Sequence, residues 1–479
     1  MNNPQRSLNL FDTVMIVSGS MIGSGIFIVS ADMSRSLGSP FWVLMAWVLS
    51  GIITLFAALS YSELAGMMPE AGGQFIYLKR AFGKMTAFVY GWTVFLVIQT
   101  GVFAAVAMAF AKYTGVFFPF FDEKNYVLEI GSFHVSTAQL LAIASIAFLT
   151  WINSRGVKNG KAIQRVFTST KILALLILIV LGISFGMGTH TFAQNFSDPF
   201  HAFMSEVKDG VVTTTPLSGI SFITIFGAAM IGSLFSSDAW NNVTFIAGEV
   251  KEPQRNIPLG LLIGVGLVTL LYILANVAYF MILPFNGDPN SSEVIGQGVM
   301  FAQNDRVGTA ALYMIFGNTS KYLMAALIMI STFGCNNGLV LAGSRLFQSM
   351  AEQGLFFSKV KEINKHGVPQ TSMIYQCIWG SVLCLSGSYG DLLDYCTFAS
   401  LLFYMVTIAG IFVLRKKEPD TPRPYKAFGY PIIPALYILL AGFICVNLLF
   451  IKPFNAGMGM MIIALGIPVF YLFNRKKTA

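Results

Sequence analysis

Charged residues are scarce in this chain of 479 residues, because Asp, Glu, Lys and Arg together make up only 11% of it. A soluble globular domain usually carries about 25%. Hydrophobic residues make up 55% of the sequence, and no polar block is long enough to form a separate soluble domain. The composition therefore excludes an ordinary water-soluble protein and predicts one integral membrane domain over residues 1–479.

Cysteine and histidine are also rare, with five and four residues respectively. So few cysteines exclude a disulfide scaffold, and Cys335, Cys377, Cys384 and Cys445 lie in apolar runs, as small core residues do. The histidines form no metal-spaced cluster, and no nucleophile–base pair or phosphate-binding loop occurs. We therefore expect no cofactor, no metal and no enzymatic activity.

Long apolar stretches dominate the sequence, and twelve of them are long enough to cross a bilayer, which takes about 20 residues. The first follows a short segment without a cleavage site, so we interpret it as a membrane helix and not as a signal peptide. The chain is therefore predicted to be an all-α membrane protein with twelve transmembrane helices. The predicted spans are 8–30, 41–67, 84–111, 136–153, 165–187, 217–247, 258–284, 321–347, 369–387, 391–414, 430–452 and 457–474.

Lysine and arginine are distributed unequally between the two ends of these spans. With a cytoplasmic N-terminus, 22 of the 30 basic residues fall at or near the inner ends of the spans, seven fall at or near the outer ends, and Lys171 alone lies well inside a span. Because cytoplasmic loops are enriched in basic residues, both termini are predicted in the cytoplasm, with the protein in the plasma membrane. This topology explains the formal charge of +8, so nucleic acid is not expected as a partner.

The connections between the spans are expected to be loops, and the last of the three long outer loops has room for a short helix. The predicted outer loops 112–135, 188–216 and 285–320 are longer than ordinary hairpin connections, and the last has room for a short interfacial helix around 292–304. Segment 69–83 contains paired glycines, which relieve backbone strain, and is predicted as an inner loop.

The middle of the first span is unusual, since three glycines and three serines occur between Ser18 and Gly25. This density disfavours a continuous helix. Packing of small residues, as at Gly19 and Gly23, would explain the same composition. A discontinuous helix would instead expose backbone amides to a cavity, and the density of glycine favours this second interpretation.

The sixth span is interrupted in a similar way between Gly232 and Asn242, where serines, a carboxylate and two asparagines break the apolar run. Interruptions in corresponding spans of two halves are typical of transporters that bind substrate at the membrane midplane. Because five crossings are an odd number, spans 1–5 (8–187) and 6–10 (217–414) would form inverted repeats. Spans 11 and 12 (430–474) would be two additional helices.

Several motifs occur together along nearly the whole chain. They are Glu63 and the stretches 19–27, 69–73, 249–258, 422–426 and 429–431. In this order they resemble the signature of the amino acid–polyamine–organocation superfamily of permeases. Within that superfamily, the stretches 167–171, 334–338 and 344–347 look most like the L-type amino-acid transporter branch and its bacterial relatives.

The resemblance implies a LeuT-type fold, a 5+5 inverted repeat, that moves amino acids by alternating access. It also implies roles for particular groups: the amides around Ser24 and Gly25 would receive the substrate carboxylate, and carbonyls at helices 1 and 6 would receive its ammonium. Phe235 matches an aromatic gate above the substrate. The implied substrate-binding residues are Met21, Ile22, Gly23, Ser24, Gly25, Phe235, Ser236, Ser237 and Asp238, with the ammonium on the carbonyls of Met21, Phe235 and Asp238.

Broken helices suit an amino-acid zwitterion, whose carboxylate and ammonium each cost several kcal/mol to desolvate unless they are paired. A half-helix N-terminus offers free N–H groups, and a half-helix C-terminus offers carbonyls. Glycines at positions 23 and 25 let the ligand approach the backbone. Asp238 has two open interpretations, since it would either pair with a substrate amine or brace the unwound helix through nearby N–H groups. The related permeases often have two glycines where this chain has Asp238 and Ala239.

Lys171 needs an explanation, because a charge at mid-membrane costs roughly 2.5–3.5 kcal/mol. Snorkelling is one, since Lys171 lies only about two turns into predicted span 5. The resemblance implies another: the ammonium replaces the cation that sodium-coupled relatives bind between helices 1, 5 and 8. It would then contact carbonyls at the end of the inner half of helix 1 and polar groups such as Ser331 or Thr332. Because burial favours the neutral amine, proton release from Lys171 is a further alternative.

The predicted function is sodium-independent transport of L-amino acids, by exchange or with proton coupling. Small or medium neutral substrates are favoured, because Ser236 and Ser237 make one wall polar and compact. A transporter of cationic amino acids or polyamines is the alternative within this class, and an amino-acid sensor or a channel is the alternative of another class. The amino acid carried, the direction of transport and the need for a partner subunit stay open.

Overall fold

The computed structural model describes most of the chain and is dominated by helices. Among the described residues, nine helices are long and apolar enough to cross a membrane, and the shorter Leu10–Met21 and Thr137–Asn153 are also apolar. The chain is therefore a multi-pass membrane protein. Lys476 and Lys477, which are two of the 22 basic residues predicted on the inner face, lie outside the described residues. The described residues are 6–130, 133–208, 210–386 and 389–475.

The helices and strands follow one another with short connections. In the first half they are α1 (Leu10–Met21), α2 (Val29–Leu37), α3 (Pro40–Met67), α4 (Gln74–Phe82), α5 (Lys84–Thr93), α6 (Gln99–Thr114), β1 (Tyr126–Ile130), β2 (Phe133–Ser136), α7 (Thr137–Asn153), α8 (Val157–Gly186), α9 (Thr191–Asn195), β3 (Phe203–Lys208) and β4 (Val211–Pro216). In the second half they are α10 (Gly219–Ser236), α11 (Asn242–Phe245), α12 (Pro253–Ile282), α13 (Val294–Gln297), α14 (Val307–Phe316), α15 (Ser320–Glu352), α16 (Gln370–Leu385), α17 (Tyr389–Lys417), α18 (Ile432–Ile451) and α19 (Pro453–Arg475).

Local sequence signals fix the ends of the first helices. Asn9 and Asp12 form a capping box at the start of α1, in which each side chain accepts the backbone N–H of the other at 3.0 Å. Gly38 ends α2 with a φ of 65°, a left-handed conformation that costs little without a Cβ. Pro40 then opens α3 at a position where no backbone N–H is needed. These signals determine where the chain reverses direction.

The segment 69–83 is not a loop, as the sequence analysis expected, but contains the nine-residue helix α4. Phe75, Leu78 and Ala81 recur at a spacing of three residues and are buried, so one face of α4 packs into the core. The paired glycines only set the start of this helix, since Gly73 has a φ of 43°. The apolar spacing after the glycines therefore determines the structure of this segment, and the glycines do not prevent a helix.

The all-helical expectation is corrected in two connections. Strands β1 and β2 form one antiparallel hairpin, and β3 and β4 form another, with Phe203 opposite Pro216 and Lys208 opposite Val211. β-Branched residues dominate β4, which explains its strand conformation. The third long connection contains the short helix α13, which lies within the expected range 292–304, and the ten-residue helix α14, which follows it.

Helix α1 is surrounded by α8, α12 and α15, and α12 also packs against α3. Buried carboxylates are paired with basic residues near the predicted inner face. Glu63, the clearest case, has a side chain that is 1% exposed and lies 2.6 Å from Arg415, so its role there is structural. The other buried pairs at this face are Glu63 with Arg423, Glu249 with Arg345, and Asp12 with Lys161 and Arg165.

Candidate functional site

The first span is broken where the sequence predicted it. Helix α1 ends at Met21, a 3-10 turn covers Gly25–Phe27, and α2 begins at Val29. Within the described part of the chain, the amides of Gly23, Ser24 and Gly25 donate to no acceptor. The break therefore presents free backbone N–H groups inside a membrane helix, the arrangement that binds an anion.

The two glycines of this break act through size and not through an unusual φ, since neither has a positive φ. A Cβ on Gly25 would overlap the hydroxyl of Ser236, whereas a Cβ on Gly23 would meet no atom within 4 Å. Gly25 thus permits close packing of the two breaks. Gly23 faces open space, where a ligand would otherwise meet a side chain.

The sixth span is broken between the end of α10 at Ser236 and the start of α11 at Asn242. Ala239, which stands where the related permeases often have glycine, has a φ of 63°. A left-handed conformation costs a residue with a Cβ roughly 1–2 kcal/mol. The break is therefore held in a strained conformation, as is common at functional sites.

Lys171 lies at the first break. Its Nζ donates to the carbonyl of Gly19 at 2.5 Å and to that of Ile22 at 2.7 Å, with the carbonyl of Ser331 at 3.4 Å. The hydroxyl of Ser331 donates to Ile22 at 3.0 Å, whereas the hydroxyl of Thr332 bonds only within its own helix. The ammonium thus joins the C-terminal end of α1 to α15.

Snorkelling does not explain Lys171. Helix α8 begins at Val157, eight residues before the predicted start of span 5, so Lys171 lies roughly four turns into it. The residue is 3% exposed and its ammonium points to the break, not to the membrane surface. Three carbonyl oxygens around one cation form the kind of coordination shell that otherwise holds a metal ion.

Tyr272 of α12 connects the two breaks. Its hydroxyl lies 3.1 Å from the carbonyl of Met21 and 3.1 Å from that of Ser236, which are the last residues of α1 and α10. The hydroxyl has one proton for two acceptors. Two half-helix C-terminal ends therefore converge on a single donor, which leaves unused acceptor capacity for a cationic group.

A cavity of about 830 Å³ begins at these breaks and extends to the predicted outer loops. At its base it is lined by Met21, Gly23, Ser24, Gly25, Phe235, Ser236 and Asp238, and at its mouth by Lys112, Glu123 and Arg306. Towards the opposite end of the helices lie the buried ion pairs described above. The cavity is thus open towards one face of the protein.

Seven of the nine predicted binding residues line this cavity, and two do not. Ile22 is fully buried, and its carbonyl faces Lys171 instead. Ser237 borders a separate cavity of about 20 Å³ together with Trp240 and Tyr437. Adjacency in the sequence does not predict which of these residues face the cavity, because successive residues of a broken helix point in different directions.

Asp238 combines a place on the cavity wall with a neutral hydrogen-bond partner. Its Oδ1 accepts a hydrogen bond from the hydroxyl of Tyr404 in α17 at 2.6 Å, and Ser400 borders a small cavity that Asp238 also lines. Within the described residues, no lysine, arginine or histidine lies within 4 Å of this carboxylate. The bond to Tyr404 fits a bracing role, and the place on the cavity wall leaves the carboxylate accessible to a ligand.

Sequence reasoning missed Tyr272 and Tyr404, because a tyrosine within an apolar run carries no signal of its own. The amide of Gln99 in α6 donates to the carbonyl of Leu339 in α15 at 3.0 Å, so this side chain forms an interhelical contact. Gln99 also borders a small cavity of about 20 Å³ beside Asp238. Among the described residues, no group of His, Cys, Asp and Glu is arranged to hold a metal ion.

Comparison with known proteins finds related sequences along nearly the whole chain. The model of the family described as "Amino acid permease" matches residues 8–473. Human "Large neutral amino acids transporter small subunit 2" is 29% identical, over 98% of this chain and 80% of that protein. Human "Cystine/glutamate transporter" is 31% identical, over 98% of this chain and 85% of that protein. Mouse "b(0,+)-type amino acid transporter 1" is 30% identical, over 92% and 82% respectively.

Proposed function

This chain belongs to the amino acid permease family, and we propose that it transports L-amino acids across the plasma membrane by alternating access, without sodium. It works as an exchanger or with proton coupling, and small or medium neutral amino acids are its preferred substrates. The observation that carries this proposal is the ammonium of Lys171 among three carbonyl oxygens at the helix break.

The argument from Lys171 is electrostatic. An ammonium bound at 2.5 and 2.7 Å to two carbonyls of the α1 end already satisfies the oxygens that a sodium ion would need. A second cation at the same oxygens would be repelled, strongly so in a medium of low dielectric constant. The break is therefore stabilised by a covalently attached charge, and substrate binding has no need of a sodium ion.

The substrate would be held by backbone groups. Its carboxylate accepts hydrogen bonds from the free amides of Gly23, Ser24 and Gly25. Its ammonium lies at the C-terminal ends of α1 and α10, where the carbonyls of Met21 and Phe235 accept. Each charge then meets the helix end of opposite sign. Recognition through the backbone fits a transporter that accepts several side chains.

The residues that would contact the side chain of the substrate bear on two substrate classes, neutral amino acids and cationic compounds. The hydroxyl of Ser236 donates to the carbonyl of Gly232 at 2.8 Å, which keeps this wall compact and favours small or medium neutral side chains. Asp238, a carboxylate without a basic partner among the described residues, supports the alternative of cationic amino acids or polyamines. The two classes differ in whether Asp238 contacts the substrate or braces the helix.

We extend the proposal to the membrane topology. The twelve predicted crossings comprise two inverted five-helix repeats over 8–187 and 217–414 and two additional helices over 430–474, within a single domain, residues 1–479. The unequal distribution of lysine and arginine supports cytoplasmic termini. With this orientation the cavity faces outwards, and the pairs of Asp12 with Lys161 and Arg165 close the inner side. Inward opening then requires these ion pairs to separate.

Counterflow in proteoliposomes tests this function. Vesicles are loaded with one unlabelled compound: L-leucine, L-alanine, L-lysine, L-glutamate or putrescine. They are then diluted into sodium-free buffer that contains the same compound in labelled form. Transient accumulation with leucine or alanine supports neutral amino-acid exchange. Accumulation confined to lysine or putrescine would favour the cationic alternative, and none with any compound would contradict the proposal.

A further inference from the structure

The mouth of the cavity contains a cation that the mechanism above does not use. Arg306 directly precedes α14 and lines the cavity, and its guanidinium lies 5.0 Å from the centre of the Tyr113 ring. Within the described part of the chain, no carboxylate oxygen lies within 4 Å of this guanidinium. Arg306 is therefore held beside the Tyr113 side chain, and most of its hydrogen-bond donors remain available to a ligand.

The nearest acidic residue in sequence does not neutralise Arg306. Asp305 is bound by Arg35 at 2.6 Å, and the same nitrogen of Arg35 donates to the carbonyl of Met300 at 2.7 Å. Across the mouth, Lys112 and Glu123 lie 3.4 Å apart and balance each other. Among the charged groups that line the mouth, Arg306 thus leaves one positive charge unbalanced.

The cavity is larger than one amino acid requires. Its volume of about 830 Å³ lies in the upper part of the range of roughly 300–1,000 Å³ that pockets for drug-sized ligands occupy. The break at Gly23 and Gly25 occupies only its base. A second amino acid therefore has room at the mouth while the first is bound below.

We propose that Arg306 forms a carboxylate docking site at the cavity mouth, where an incoming amino acid binds before it reaches the helix breaks. The guanidinium binds the substrate carboxylate through charged hydrogen bonds. This inference rests on the proposed transport function and adds a second binding site to it. The docking site recognises only the groups that all amino acids share.

The test compares the KM for substrate added on the outer side of the membrane, here called the outer KM, between wild-type protein and Arg306 variants. It is measured in cells or right-side-out vesicles with labelled L-leucine or the best substrate of the counterflow panel. We expect Arg306→Gln to raise the outer KM about three- to tenfold, the factor for one charged hydrogen bond at a partly solvated site. The maximal velocity and the KM measured from the inner side should not change. Arg306→Lys should restore most of the affinity.

Lys321 provides a matched control, because its ammonium lies 4.8 Å from the ring of Tyr322 but does not line the cavity. Lys321→Gln should leave the outer KM unchanged. An unchanged outer KM in Arg306→Gln, or a loss of maximal velocity alone, would overturn the docking site. If wild-type protein transports no compound of the panel, the proposed function itself fails, which is a distinct result.

A second measurement does not depend on any variant. Chloride competes with a carboxylate for a guanidinium, and salt screens exposed charges over about 10 Å at 0.1 M. The outer KM of the wild-type protein should therefore rise with the concentration of choline chloride, whereas the inner KM should not. An outer KM that is independent of salt would contradict the proposal even if Arg306→Gln failed to fold.

Discussion

The substitution Lys171→Ala tests whether the ammonium of Lys171 stabilises the helix break at the end of α1. The variant loses two charged hydrogen bonds, to Gly19 at 2.5 Å and to Ile22 at 2.7 Å. Each is worth about 1.5–3 kcal/mol, so the loss is about 3–6 kcal/mol. Removing a charge from mid-membrane returns roughly 2.5–3.5 kcal/mol. The net destabilisation is therefore about 0–3 kcal/mol, which a folded membrane protein tolerates.

We accordingly expect Lys171→Ala to insert and fold but to transport poorly. The carbonyls of Gly19 and Ile22 lose their donor, so the end of α1 is no longer held in the geometry that binds substrate. Because about 1.4 kcal/mol corresponds to a factor of ten, a loss of up to about 3 kcal/mol at the break lowers uptake by up to about a hundredfold.

The assay is counterflow in proteoliposomes at matched protein density, with folding checked by size-exclusion chromatography. Thr170→Ala is the control, since Thr170 lies on the same helix, is only half-buried, and among the described residues its hydroxyl donates to the carbonyl of Val166 alone. It should transport normally. Normal uptake by correctly inserted Lys171→Ala would refute the reasoning and reduce Lys171 to a tolerated charge.

Other substitutions test the breaks and the pocket. Gly25→Val should abolish transport without preventing insertion, because its Cβ would overlap the hydroxyl of Ser236; near-normal uptake would refute this. Gly23→Ala should fold normally but raise KM, since the added methyl enters open cavity, and an unchanged KM would place the substrate elsewhere. Asp238→Gly should reduce transport of basic amino acids more than neutral ones if the carboxylate contacts substrate, and an equal loss would indicate bracing. Ala239→Gly should raise the unfolding free energy by about 1 kcal/mol, because φ is 63° there, and a lower thermal midpoint would contradict this.

The sequence predicted the membrane fold and the two breaks well, because both depend on local composition. Apolar length defines a membrane helix, and clustered glycine and serine mark the interruption between Met21 and Val29. The connections were harder to predict. Segment 69–83 and the two hairpins depend on packing against distant helices, and single-sequence periodicity does not report such contacts.

The candidate site was predicted residue by residue only in part. The stretches that the family resemblance indicated border the cavity, but the resemblance does not tell which residues of a stretch face it, as Ile22 and Ser237 illustrate. Tyr272 and Arg306 gave no signal, since their roles come from elements brought together over hundreds of residues. The contact of Lys171 with α1 was expected from the resemblance, whereas the early start of α8 at Val157 was not.

The central claim is that the positive charge of Lys171 takes the place of a sodium ion. Exchange of labelled L-leucine, or of the best substrate in the panel, by wild-type protein should be measured in proteoliposomes with sodium on both sides, on one side or replaced by choline. We predict equal initial rates in all three conditions, because the carbonyls of Gly19 and Ile22 already bind an ammonium. Transport that stops without sodium, or accumulation driven by a sodium gradient, would contradict the account.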